Sequence, residues 1–217
     1  MKSYALAIRK PKLVGVSTGR AGTAFTASFL QHHGFKIGHE NLFTPSGYIP
    51  KPWYDGDISW LAFPYLNQLK SPIFLVSRDP TLVVKSFLQI GFFDPAHKSP
   101  YKRYARRFFN FTGNETFDAI RWVTEIFGQS LPKAEYNFRI GHTPEKDLLN
   151  FVQSVFGHTV KLDSSFDTKI PINTKMDVKR NRDISSLEFP ASLLNSFLDI
   201  TEDLGFDTKA AKELNWN

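Results

Sequence analysis

Residues 13–30, reading LVGVSTGRAGTAFTASFL, constrain the chain more than any other stretch. Leu13, Val14 and Val16 form a short apolar run of β type, and a tight turn rich in Gly, Ser, Thr and Arg follows. A helix-compatible run begins at Thr23. A strand that turns at once into a helix directs several backbone N–H groups and a helix N-terminus at one point, which makes an anion site. The same step from strand to helix is the first half of a βαβ unit.

The remaining sequence continues that alternation. Lys12–Ser17, Phe35–Gly38, Ile73–Val76 and Tyr136–Ile140 read as strands. Thr23–His33, Ile58–Leu69, Thr81–Ile90, Lys98–Phe109, Phe117–Phe127, Glu145–Phe156 and Ala191–Leu204 read as helices. Asn41–Asp57 holds three Pro and two Gly and reads as a loop over a site. Residues 160–181 are polar and irregular. The pattern predicts an α/β fold with a parallel sheet flanked by helices. At 217 residues it suits one domain, with room for a helical insertion at about 92–131.

In such a sheet ligands sit beyond the carboxyl ends of the strands. The expected ends are Thr18-Gly19-Arg20, His39-Glu40 and Ser77-Arg78-Asp79. The topology therefore gathers the polar clusters of the chain at one rim.

Composition narrows the chemistry. The formal charge of +6 favours an anionic ligand or surface. No zinc-finger spacing, RNP-like motif or long Lys/Arg run favours nucleic acid. The absence of cysteine excludes disulfides, thiolate metal sites and a Cys nucleophile. No apolar run reaches the length of a membrane span, and the first residues lack a signal-peptide core, so a cytoplasmic location is expected. The 21 Phe suit an aromatic-rich core.

Compared with the Walker A pattern G-x-x-x-x-G-K-[ST], the loop has Ser17 at the first Gly and Gly22 at the second. Thr23 stands where Lys is needed and Ala24 where the Mg²⁺ hydroxyl is needed. The two side chains that handle a magnesium-bound triphosphate are missing, and Arg20 supplies a fixed charge instead. Arg20-Ala21-Gly22-Thr23-Ala24-Phe25 resembles the 5′-phosphosulfate loop of sulfotransferases, [KR]-S-G-T-[TS], with Ala21 and Ala24 each lacking a hydroxyl.

A second segment strengthens the resemblance. Arg78 ends a strand, Asp79-Pro80 follows, and Ser86 lies eight residues beyond Arg78. This is similar to the R-x-P…Ser arrangement with which sulfotransferases bind the 3′-phosphate of 3′-phosphoadenylyl sulfate (PAPS). Gly38-His39-Glu40, Asp57–Leu61 and Gly91–Pro95 resemble segments of bacterial sulfotransferase-like proteins. In the late polar region, residues around Asn173 and Lys175 are similar to a segment that closes over the donor.

The resemblance implies a P-loop-type, sulfotransferase-like domain that moves a sulfuryl group from PAPS, as co-substrate, to a hydroxyl of a small-molecule or carbohydrate acceptor. It implies donor contacts from Arg20, Ala21, Gly22, Thr23, Ala24, Phe25, Arg78, Ser86, Asn173 and Lys175, and no metal. Arg20 would act in catalysis, with Glu40 or His39 as base and Glu40 favoured. Two other readings stay open: a nucleotide or sugar kinase with an aberrant P-loop, and a non-catalytic polyanion-binding protein. For the latter, Lys102 with Arg106 and Arg103 with Arg107 would form a basic face, although such spacing more often marks a solvated helix face.

Overall fold

The computed structural model describes residues 10–163, 165–166 and 190–212. Asn173 and Lys175 lie outside the described residues. Five strands form one parallel sheet: β1 (Leu13–Val16), β2 (Ile37–His39), β5 (Gly56–Ile58), β6 (Ile73–Ser77) and β7 (Tyr136–Arg139). Their spatial order is β2-β5-β1-β6-β7. A two-stranded antiparallel hairpin, β3 (Phe43–Thr44) with β4 (Gly47–Tyr48), stands apart from that sheet. The helices are α1 (Thr23–His32), α2 (Pro80–Gln89), α3 (Pro100–Ala105), α4 (Glu115–Ser130), α5 (Glu145–Phe156), α6 (Ala191–Asp203) and α7 (Lys209–Lys212). The α/β reading holds, and the arrangement is compatible with a P-loop-like fold.

Every residue of β1 and β6 is buried, as expected for parallel strands covered on both faces. Alternation along the strands divides the core into two layers. Val14, Val16, Ile73 and Leu75 face the layer that contains Val84 of α2 and Trp122 of α4. Leu13, Phe74, Val76 and Phe138 face the layer that contains Phe29 of α1 and Leu149 of α5. The aromatic wealth goes mainly to the first layer, where Trp122 packs against Trp60, Phe92, Phe93 and Phe109 at ring separations of 5.4, 6.0, 6.1 and 5.2 Å.

Three sequence expectations need correction. The segment 41–57 is not simply a loop: it carries the hairpin and, at its end, β5, which lies between β1 and β2. Gly-Asp-Ile lacks an apolar run. It is a strand because parallel neighbours on both sides satisfy its backbone, and because Gly56 admits them: a Cβ there would lie 2.6 Å from the Leu13 carbonyl oxygen. The helix read at Ile58–Leu69 shrinks to a 3₁₀ segment, Trp60–Tyr65, which contains Pro64 and is capped by Ser59. The helix read at Lys98–Phe109 is six residues long, and Lys102 on it is buried rather than solvated.

The chain runs from β1 to one side of the sheet and crosses to β6 on the other. β1 and β6 therefore flank the point where strand order reverses, which is where open α/β sheets form a ligand crevice.

Candidate functional site

The turn after β1 is built from unusual backbone. Gly19, Arg20 and Gly22 have φ of 79°, 59° and 94°. At Gly22 any side chain is excluded twice over: its φ suits glycine, and a Cβ would meet Ile140 Cγ1 at 2.7 Å. Thr26 closes the first helical turn, with its N–H and hydroxyl both donating to the Gly22 carbonyl at 3.0 Å. The backbone N–H groups of residues 19–23 find no acceptor among the described residues. They are a run of unpaired donors leading into the N-terminus of the ten-residue α1. Beneath them Trp122 donates its indole N–H to the Thr18 carbonyl at 2.9 Å, which ties the loop to the aromatic core. The Ser17 hydroxyl is buried there with no partner among the described residues.

Arg78 follows β6, and Asp79 caps α2 by accepting from Thr81 N at 2.8 Å. Pro80 occupies the first turn, as its missing N–H allows. Ser86 then stands on the inner side of α2, where its hydroxyl accepts from Arg20 Nε at 3.0 Å. The sequence pairs Ser86 with Arg78; the observed bond joins it to Arg20 from the first loop. Arg78 is close enough that, after burial, its charge is the second cause lowering the Arg20 pKa. Two guanidiniums thus meet beside the loop donors, and neither has an ion-pair partner among the described residues.

Of the other loop residues, Ala21 is fully buried in the first core layer and contributes backbone only. The Phe25 ring turns toward the second layer, stacked with Phe29 at 6.5 Å and edge-on to Phe166 at 5.8 Å. Any role for Phe25 in the loop is therefore through its N–H.

At the end of β2 the chain turns sharply at Glu40, whose φ is 54°. Among the described residues, Arg20 and Glu40 are the two non-glycine residues with positive φ. Backbone held in this region costs about 1–3 kcal/mol and persists only where its surroundings enforce it. Asp57, fully buried on β5, does so for Glu40. Its carboxylate accepts from the N–H groups of Asn41, Leu42 and Phe43 at 3.0, 3.0 and 2.9 Å. Gly38 leaves room for this clamp, since a Cβ there would lie 2.7 Å from Asp57 Oδ1.

The Glu40 carboxyl is pushed up to about 7, chiefly by burial and further by the Asp57 charge, while hydrogen-bond donation from Tyr101 and Trp60 opposes the rise. Burial lowers the His39 pKa, so its ring is neutral near pH 7. His39 Nε2 shares a hydrogen bond with Thr23 Oγ1 at 3.0 Å and lies 4.0 Å from Glu40 Oε1. Through His39 the first helical residue of the anion loop is linked to the carboxylate.

Arg20, Arg78 and Ser86 therefore come together around the loop, and Thr23, His39 and Glu40 form a second, connected group. Sequence reading assigns no role to Asp57, Trp60, Tyr101 or Trp122. Asp57 and Trp60 belong to a segment that the resemblance marks, but Tyr101 and Trp122 reach the site only through tertiary packing and have no local signature. Among the described residues no group of three or more His, Asp or Glu is disposed to hold a metal ion, and no helix is long and apolar enough to cross a membrane. No protein-family model matches the chain, and comparison with curated proteins finds no significant match.

Proposed function

We propose that the protein transfers a sulfuryl group from PAPS to a hydroxyl of an acceptor. One observation carries this reading: Arg20, Arg78 and Ser86, drawn from two strand ends, converge beside unpaired loop N–H groups. Two guanidiniums and a hydroxyl suit a donor with two separate anionic groups, a 5′-phosphosulfate on the loop and a 3′-phosphate at Arg78 and Ser86. In this chain the Ser86 hydroxyl also bonds Arg20, which couples the two halves of the donor site.

The bond between sulfur and the bridging phosphate oxygen breaks, and a bond from sulfur to the acceptor oxygen forms. The acceptor proton passes to Glu40, and 3′,5′-ADP leaves. Loop N–H groups and Arg20 stabilise the charge that develops on the leaving oxygen. A carboxyl pushed up to about 7 is half ionised at neutral pH and so poised as a general base. His39, neutral and bonded to Thr23, acts as a positioning residue between loop and base. Loss of the loop hydroxyls at Ala21 and Ala24 leaves the backbone donors intact. A kinase reading fits less well, because Thr23, at the Walker lysine position, is engaged with His39.

The test is incubation of the purified chain with labelled PAPS and a panel of phenol, sugar and lipid hydroxyl acceptors. Label transfer that is lost in Arg20→Ala supports the reading. Magnesium-dependent ATP turnover without label transfer would replace it with the kinase reading.

A further inference from the structure

The segment after α2 carries a cavity of its own, of about 390 Å³, apart from the strand-end rim. Lys98, Lys102, Arg103 and Arg106 line it, with His97, Ser99 and two prolines, and no carboxylate side chain is part of the lining. Lys98, Arg103 and Arg106 are exposed and have no ion-pair partner among the described residues. Lys102 is only 2% exposed. Its ammonium donates to the Asp94 carbonyl oxygen and sits 5.4 Å from the centre of the Phe111 ring. Burial and then Arg106 push its pKa down; the carboxylates that act on it, Asp94, Glu115 and Asp118, do not line the cavity.

Cations near a helix C-terminus complement the helix dipole, which accounts in part for Lys102 and Arg103. It does not account for Lys98, which precedes the helix, or for the gathering of all four residues around one hollow. Like charges gathered in this way raise the free energy of the unliganded fold and reward an anion that enters.

Location ties the hollow to the candidate chemistry. Pro100 and Lys102, both in its lining, flank Tyr101 on α3, and Tyr101 is the residue that offers a hydrogen bond to Glu40. One short helix therefore presents a phenol to the base and cations to the cavity. Resting on the sulfotransferase reading, we propose that this cavity is the acceptor's anion subsite. The acceptor is then a molecule long enough to reach past α3, with a hydroxyl at Glu40 and a carboxylate, sulfate ester or phosphate monoester among Lys98, Lys102, Arg103 and Arg106. A volume of this size matches a single small ligand group, whereas a nucleic-acid backbone requires cations spread along an extended surface.

The proposal is tested by titrating inorganic sulfate, inorganic phosphate and glucuronate, with glucose as the neutral control, into the full chain with and without saturating 3′,5′-ADP. Isothermal calorimetry and amide chemical shifts supply the readout. With 3′,5′-ADP saturating, at least one anion is expected to saturate a site whose affinity falls tenfold or more in an Arg103→Ala/Arg106→Ala double variant and is unchanged in a variant of the exposed Lys146 on α5, Lys146→Ala. Glucose should not bind. Which of the three binds best identifies the anionic group.

Equal binding to wild type and the double variant, or no saturation by any anion, overturns the subsite. So does a DNA duplex that displaces sulfate through the same arginines with steep salt dependence. If 3′,5′-ADP fails to bind while sulfate still depends on Arg103 and Arg106, the sulfotransferase reading falls and the anion site stands.

Discussion

The loop side of the rim and the side of the proposed base, Glu40, are built by different means. The loop side is local backbone: a turn with three positive φ values, a run of unpaired N–H groups and the start of α1, all between Ser17 and Thr23. The base side is assembled over distance. Glu40 is turned by Asp57 on another strand; burial raises its pKa, and hydrogen bonds from Tyr101 and Trp60, sixty-one and twenty residues further along, oppose the rise. A backbone-built anion site is defined by geometry and resists most side-chain changes. A base tuned by burial depends on each neighbour.

The largest effect is expected at the base. Glu40→Gln should reduce transfer by roughly 10²–10⁴-fold, the usual worth of a general base, while 3′,5′-ADP affinity stays the same. In wild type kcat/KM should rise with pH through about 7, and the variant should lack that limb. The same carboxyl makes the fold pH-dependent. Its pKa goes from 4.5 in the unfolded chain to about 7 in the fold, so between those values the folded chain holds a proton that the unfolded chain has released. Stability therefore falls as pH climbs through this window, by on the order of 3 kcal/mol once pH exceeds 7. Glu40→Gln should accordingly melt at higher temperature than wild type at pH 8, and the two should converge near pH 4; no difference at pH 8 would mean that the carboxyl is not strained by burial.

Next in size is the loop. Gly22→Ala forces a side chain onto Ile140 and into an unfavourable φ, at a cost of about 2–4 kcal/mol in denaturant unfolding. It should abolish 3′,5′-ADP binding, whereas Ala24→Ser should leave binding and stability nearly unchanged, as expected where backbone rather than side chain makes the site. Strong loss in Ala24→Ser would break the contrast between the two sides.

The smallest effect sharpens it. Tyr101→Phe removes a donor that favours the ionised carboxylate, so the Glu40 pKa should rise. Activity at pH 7 should drop several-fold and recover by pH 9, with the acid limb displaced upward. A uniform loss at all pH values would instead make Tyr101 a substrate contact.

This contrast also explains what the sequence discloses. Strand, turn and helix at residues 13–32, the capped start of α2 and the Arg78-to-Ser86 spacing are encoded within one or two turns of chain, and residues read in order reveal them. β5 is hidden because three residues without an apolar run become a strand only between two partners. The Arg20–Ser86 bond, the Asp57 clamp and the approach of Tyr101 to Glu40 join residues far apart in the chain, and no local pattern announces them. Lys102 shows the same limit in reverse: its helical spacing suggests a wet face, yet tertiary packing buries it against Phe111.

The central claim is that Arg78 and Ser86 read a 3′-phosphate beside a loop that holds the 5′ group. Calorimetric titration of the wild-type chain with 3′,5′-ADP and with 5′-AMP tests it most directly. Charge-assisted bonds to the extra phosphate are worth about 1.5–3 kcal/mol, so 3′,5′-ADP should bind at least tenfold more tightly than 5′-AMP, and Arg78→Ala should erase the difference. Equal affinity for the two nucleotides in the wild-type chain would contradict the account.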